Sequence, residues 1–132
     1  MTESDEVLDA AWRAWNGFTS GCSTGDWDAF IAVLDPDVRF CNPLPGFHGE
    51  NKGLERVRAY ARYVSADFKV ELVFADPFRV TRDGNTVVFE AENEGTVAGN
   101  KVQNRLAMFF EVRNGAIATF SEYLGVLAPP ST

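Results

Sequence analysis

Apolar positions follow two different periods along this chain. In the first half they recur at three- and four-residue spacing, and from Phe68 onward they alternate. Val7, Leu8, Ala11, Trp12, Trp15 and Phe18 make one broad stripe that predicts a helix from about Asp5 to Phe18. Asp5, Glu6 and Asp9 suit the positive end of its dipole, and the turn-forming run Ser20 to Gly25 breaks the pattern. Asp26 caps a second predicted helix, Trp27 to Leu34, which Asp35-Pro36 ends because the residue before proline avoids helical geometry. Val38 to Asn42 alternates as a short strand, with Val38, Phe40 and Asn42 on one face. An irregular loop, Pro43 to Gly49, then leads to a third helix, roughly Gly53 to Ser65, whose inner face is Leu54, Val57, Tyr60, Ala61 and Val64.

The alternating half predicts one long, bent strand from Phe68 to Thr81, interrupted at Asp76-Pro77, where proline implies an edge position or a bulge. Thr86 to Val97 and Lys101 to Val112 follow, and the turn Arg113-Asn114-Gly115 leads into a last strand, Ala116 to Leu124. Asn-Gly between two such runs is a strong hairpin signal. Three helices followed by long antiparallel strands give an α+β half-barrel in a single domain, residues 1–132, with a curved sheet wrapped on the helices. A curved sheet closed in this way leaves an internal cavity for a small-molecule ligand.

Composition narrows the function. Twelve basic residues against nineteen acidic ones leave a net charge of −7, a field that repels phosphate backbones, so no nucleic-acid partner is expected. No apolar run is long enough to span a bilayer, the acidic start Met1 to Glu6 does not read as a secretory leader, and the expected compartment is the cytoplasm. Cys22, Cys41 and the single His48 lack the spacing of a nitrogen–sulfur metal site, and the cysteines read as reduced. His48 reads as a loop histidine. Neither a glycine-rich phosphate loop nor a nucleotide fingerprint occurs, so no metal and no cofactor is expected.

Several motifs resemble the NTF2-like superfamily of cone-shaped α+β barrels, in particular its SnoaL-like polyketide cyclase and ketosteroid-isomerase-like branch. They are Thr24-Gly25-Asp26-Trp27-Asp28, Asn42-Pro43, Gly53, Asn104-Arg105, the run Phe109 to Ile117, and Ser121-Glu122-Tyr123-Leu124. The resemblance covers nearly the whole chain, but the superfamily hosts enzymes, binding modules and assembly domains alike. Its steroid isomerases carry a basic aspartate where Asn42 stands, and oxyanion donors near Phe18 and Met108, so that chemistry is not expected. Its epoxide hydrolases carry an arginine and an aspartate where Ala91 and Asn93 stand. Only the last-strand acid is retained, as Glu122, near the place where SnoaL-like cyclases use an acid. Homodimerisation through the outer sheet face is implied by the resemblance alone.

Strand alternation sorts the remaining residues. With Glu122 inward, Ala118, Phe120 and Leu124 share its face, as do Asn104, Leu106, Met108 and Phe110 on the preceding strand and Val87, Phe89, Ala91 and Asn93 on the one before. Phe40 and Asn42 join them, and Trp15, Phe18 and Tyr60 come from the helices. The expected site is thus an aromatic-walled pocket holding Glu122 as general acid/base. Trp15, Phe18, Phe40, Tyr60, Phe89, Met108 and Phe120 contact the ligand, and Asn42, Asn93 and Asn104 orient it. Glu90, Glu92 and Glu94 fall on the outer face, to be paired with Arg105 or other basic residues.

Two readings of Glu122 stay open. In one it is desolvated, with a raised pKa, and moves protons in an isomerisation, cyclisation, dehydration or hydrolysis. In the other it pairs with an arginine or bonds backbone at the barrel rim, or is only a hydrogen-bonding anchor in a ligand-binding or dimerisation domain without catalysis. An open cavity ending at Glu122 supports the first reading, a barrel filled by side chains the second.

Overall fold

The alternating half of the chain builds one curved sheet, and the periodic half lays its helices across that sheet. The structure, a computed structural model, describes residues 5–127. The reading of the chain's start as lacking a leader falls in part on residues 1–4, outside them. Helices are α1 (Glu6–Thr24), α2 (Asp28–Ala32) and α3 (Leu54–Arg62), the last continued by a π-helical turn, Tyr63–Asp67. Strands are β1 (Leu34–Cys41), β2 (Asn51–Lys52), β3 (Val70–Phe74), β4 (Arg79–Asp83), β5 (Thr86–Val97), β6 (Asn100–Arg113) and β7 (Ala116–Val126). Their order is β2-β1-β7-β6-β5-β3, with β4 also on β5. All neighbours run antiparallel except β1 and β7, which are parallel. This is the expected α+β half-barrel.

Three boundaries differ from expectation, each for a packing reason. The helix α1 runs on to Thr24, through residues that favour turns. The indole of Trp27 lies against Gly21, where an added Cβ would meet the ring at 2.3 Å, so the tertiary contact selects both the glycine and the helix. Gly25, at φ 83°, ends α1 in the left-handed geometry that glycine adopts freely, and its N–H bonds Gly21 O at 2.8 Å.

The second helix is shorter than predicted, and Leu34 opens β1 beside Ile117 instead. Asp35-Pro36 sits in the irregular stretch of β1 between Leu34 and Arg39, where proline needs no ladder bond. The predicted Phe68–Thr81 strand is two strands on the same edge of β5: β3 faces Asn93–Val97 and β4 faces Thr86–Glu90, with Asp76-Pro77 bridging them.

The Asn114-Gly115 turn forms as predicted, both residues at positive φ (53° and 74°), the geometry that matches strand twist in a two-residue hairpin. In β7, a bulge opposite Glu111/Val112 interrupts the alternation: Ile117, not Ala118, stands opposite Val112, while Ala118 is still buried. From Phe120 onward the expected face holds, with Phe120 opposite Phe110 and Glu122 opposite Met108.

Candidate functional site

Parallel pairing of β1 with β7 puts Phe40 beside Phe120 and Cys41 beside Ser121, so the next inward positions, Asn42 and Glu122, meet. Asn42 Nδ2 donates to Glu122 Oε1 and to Tyr60 Oη, both at 2.8 Å. Asn42 Oδ1 accepts from the backbone N–H of Leu44 at 3.0 Å. Every polar atom of that amide is therefore committed, and Asn42 orients the acid rather than a ligand. The loop carrying Leu44 is itself held down by Arg56, which bonds Gly46 O at 2.6 Å and Asn51 Oδ1 at 2.8 Å and covers the Phe47 ring at 4.0 Å.

As a whole residue Glu122 is half-buried; its carboxyl is the enclosed part. Burial pushes its pKa up to about 7, with the Asn42 hydrogen bond pulling weakly the other way. Among the described residues no arginine or lysine pairs with Glu122 and no backbone group bonds its carboxyl. Its hydrogen-bond partner is Asn42 alone among the described residues, neither an arginine nor a backbone group. Two other protic groups sit near enough to feel its charge. Burial raises the Cys22 thiol well above its ordinary value, and Glu122 raises it further. Tyr60 is raised by burial, then by Glu122 and Cys22, against the Asn42 bond. Both stay protonated donors at neutral pH.

Glu122 is one of the residues that line a cavity of about 50 Å³. Phe18 and Cys22 of α1, Tyr60 of α3 and Val64 of the π-helical turn form its helix side, and Asn93 and Asn104 stand on the sheet side. Pro43, Leu44 and the partly exposed Leu124 close its rim. Such a space holds one or two waters, well short of the several hundred Å³ of an ordinary ligand pocket. The barrel is nearly filled by its own side chains.

Of the residues expected at the site, Phe18, Tyr60, Asn93, Asn104 and Glu122 come together on the cavity wall. Asn42 touches the acid from behind. The structure places Trp15, Phe40, Phe89, Met108 and Phe120 in the packed core instead: Trp15 stacks on Phe89 at 5.0 Å and Phe40 on Phe120 at 4.8 Å, with Met108 fully buried. Asn104 Nδ2 donates to Asn93 Oδ1 at 2.9 Å, while Asn93 Nδ2 has no partner.

Sequence reasoning missed Cys22, Pro43 and Leu44 as cavity lining, while Leu124 lines it from the inward face expected of it. Extending the α1 stripe past Phe18 by four residues reaches Cys22, but the glycines around it hid the helix. His48 is exposed, and its Nε2 donates to Pro43 O at 2.7 Å. Two of the three outward acids pair as expected, Glu92 with Arg105 and Glu90 with Arg79, and Glu94 has no such partner among the described residues. Among the described residues no group of histidine, cysteine and acidic side chains is arranged to hold a metal ion, and no helix is long and apolar enough to cross a membrane.

A half-open α+β barrel with an acid inside the cone defines an NTF2-like protein. Residues 9–120 match the model of the SnoaL-like domain family, ending just short of Glu122, and the chain belongs to that family. An NTF2-like protein from Anabaena variabilis is 39% identical, with 95% of this chain and 94% of that one aligned at a TM-score of 0.86. A candidate isomerase from Bacillus subtilis is 21% identical over 92% and 90% of the two chains, TM-score 0.77. An NTF2-like protein of unknown function from Burkholderia pseudomallei is also 21% identical, over 92% of both, TM-score 0.77. These last two show the shared fold. No curated protein matches the chain.

Proposed function

We propose that this protein is a cofactor-independent enzyme that moves protons on a small, largely apolar organic molecule through Glu122. Isomerase, cyclase, dehydratase or epoxide-hydrolase-type reactions, on a polyketide or another secondary metabolite, fit this reading. The observation that supports it is an enclosed carboxyl with a pKa of about 7, bonded by Asn42 but paired with no cation among the described residues, on the wall of a largely apolar cavity. At neutral pH such a group is populated in both protonation states and can take and return a proton. The family assignment and the similarity to a candidate isomerase agree with it.

The closed cavity must widen before a ligand enters, and the rim of Pro43, Leu44 and Leu124 is the part that must move. The size of that cavity also favours a second reading, a non-catalytic binding or dimerisation domain. Screening polyketide, terpene and steroid panels for binding, then for turnover in wild type and Glu122→Gln, separates the two. Turnover lost in the variant with binding retained supports the enzyme. Binding without turnover in either protein supports the second reading.

We also propose a homodimer through the outer sheet face, where Phe109 and Tyr123 pack edge-to-face and Phe78 is largely exposed. Light scattering on the purified protein tests it: a monomeric mass contradicts the dimer. A cytoplasmic location remains the expectation that goes with this reading.

A further inference from the structure

Moving the rim opens a way into the cavity but adds little room. A space of about 50 Å³ does not take even a benzene ring, which fills a dry cavity of about 150 Å³. Some part of the wall must therefore give. The sheet side is held: Asn93 and Asn104 stand on β5 and β6, which pair at every residue of β5. On the helix side Phe18 and Cys22 belong to α1, a regular helix of 19 residues.

The remaining wall comes from one short stretch. Tyr60 is at the end of α3, Val64 is in the π-helical turn and Val70 opens β3. Two irregularities fall inside this stretch. In the π-helical turn Tyr63 O accepts from the N–H of Phe68, five residues on, at 2.7 Å, so the turn holds one residue more than an α-helical turn. Just after it, Lys69 is at φ 49°, the left-handed geometry that normally falls to glycine at a helix end. The other positive-φ residues besides glycine among those described, Ala98 and Asn114, sit in two-residue hairpin turns, where that geometry is usual. Lys69 has no such turn to explain it.

The stretch is tied down at three places. Ser65 Oγ accepts from Trp27 Nε1 at 2.9 Å, Phe68 O accepts from the N–H of Ala98 at 3.0 Å, and the Tyr63 ring lies 5.7 Å from that of Phe47 on the rim loop. A spare residue, a strained backbone angle and a few breakable ties, all beside a cavity, make an element with a second arrangement within reach.

We propose that Tyr63–Lys69 is a two-state element that sets the volume of the cavity. In its second state Tyr63 O accepts from the N–H of Asp67, the α-helical partner, the spare residue passes to Phe68–Lys69, and Lys69 leaves its left-handed geometry. A π-helical turn is wider than an α-helical one, so tightening draws Val64 toward the helix axis and off the cavity, while slack at Lys69 frees Val70. The Trp27–Ser65 bond exists only in the closed state. Through Tyr63 and Phe47 the same change loosens the rim loop, and a ligand selects the wider state. This rests on the proposed binding of an apolar ligand in the cavity and is independent of proton transfer by Glu122.

Nitrogen-15 relaxation dispersion on the ligand-free protein, with benzene as the binding probe, tests this. Amides from Val64 to Lys69 should exchange at one common rate that is absent at Met108. Lys69→Gly relieves the strain of the closed state and should lower the open fraction about fivefold. Ser65→Ala removes a closed-state bond and should raise it about fivefold. Benzene affinity, read from the methyl resonances of Val64 and Val70, should follow in the same proportions, because it scales with the open fraction. Should Ser65→Ala fail to fold, wild type and Lys69→Gly decide.

Flat dispersion over residues 64–69, exchange that neither variant changes, equal benzene affinity in all three proteins or no benzene binding in any of them would overturn the proposal. Exchange that the variants tune, together with turnover that Glu122→Gln leaves unchanged, would sink the enzyme reading and keep the movable wall. Glu122-dependent turnover with flat dispersion would do the reverse.

Discussion

Asn42 Nδ2 donates to Glu122 Oε1 at 2.8 Å, and the same amide holds Tyr60 on one side and the Leu44 N–H on the other. One side chain thus fixes the acid, the neighbouring phenol and the loop that closes the cavity. Because the bond favours the charged carboxylate, it lowers a pKa that burial raises. In Asn42→Ala the Glu122 midpoint should therefore move above 7. Carbon-13 NMR of the carboxyl through a pH titration measures it, and a midpoint that falls or stays contradicts this account of the shift.

The same burial makes stability depend on pH. A carboxyl with an ordinary value of 4.5 unfolded and about 7 folded holds its proton longer in the native state. Stability then falls as pH rises from about 4.5 to 7 and levels off above, since the native state binds more protons across that window. Glu122→Gln removes the effect. The variant should match wild type near pH 4 and exceed it by roughly 2 kcal/mol at pH 8, a shift of about 2.5 units discounted for partial exposure. Denaturant melts at the two pH values read the difference.

Gly21 is the contact on which the α1–α2 corner depends. A methyl there meets the Trp27 ring, whose Nε1 bonds Ser65 Oγ at 2.9 Å on the π-helical turn. Gly21→Ala should destabilise the fold by about 1–3 kcal/mol, the usual cost of overpacking, despite the better helix propensity of alanine. An unchanged melting temperature would show that the indole can retreat.

Much of this fold was legible in residue patterns because its signals are local. Asn114-Gly115 specifies a hairpin by its backbone geometry, and period-two alternation set the inward face of β5, β6 and the end of β7 that carries Glu122. What was illegible depended on distant partners. Ser20 to Thr24 reads as a turn until Trp27 is packed against Gly21, and Ala118 reads as inward until the bulge in β7 is known. The candidate site was legible in its acid, since Glu122 interrupts an apolar face. Its lining was not. Alternation says which residues point inward, but not whether they meet ligand or one another, so Trp15, Phe40, Phe89, Met108 and Phe120 read as wall in the sequence and are packed core in the fold.

Access to the site should be set by the loop Pro43–Gly49. Arg56 is its clamp, so Arg56→Ala should leave the core intact and speed amide exchange at Phe47 and Asn42, whose N–H groups bond Leu44 O and Phe47 O. Hydrogen-exchange mass spectrometry over residues 42–49 reads this directly. Equal protection in both proteins would mean that the loop is held by its packing alone, including that of Phe47 on Tyr60.

In the proposed reaction protons pass through Glu122. This is tested most directly by following turnover and solvent-deuterium incorporation in the compounds that bind, with wild type and Glu122→Gln side by side at pH 7. A positioned general acid/base contributes about 10²- to 10⁴-fold. Glu122→Gln should lose at least a hundredfold in turnover and in deuterium uptake while folding and ligand affinity stay near wild type. Equal rates in the two proteins would contradict it.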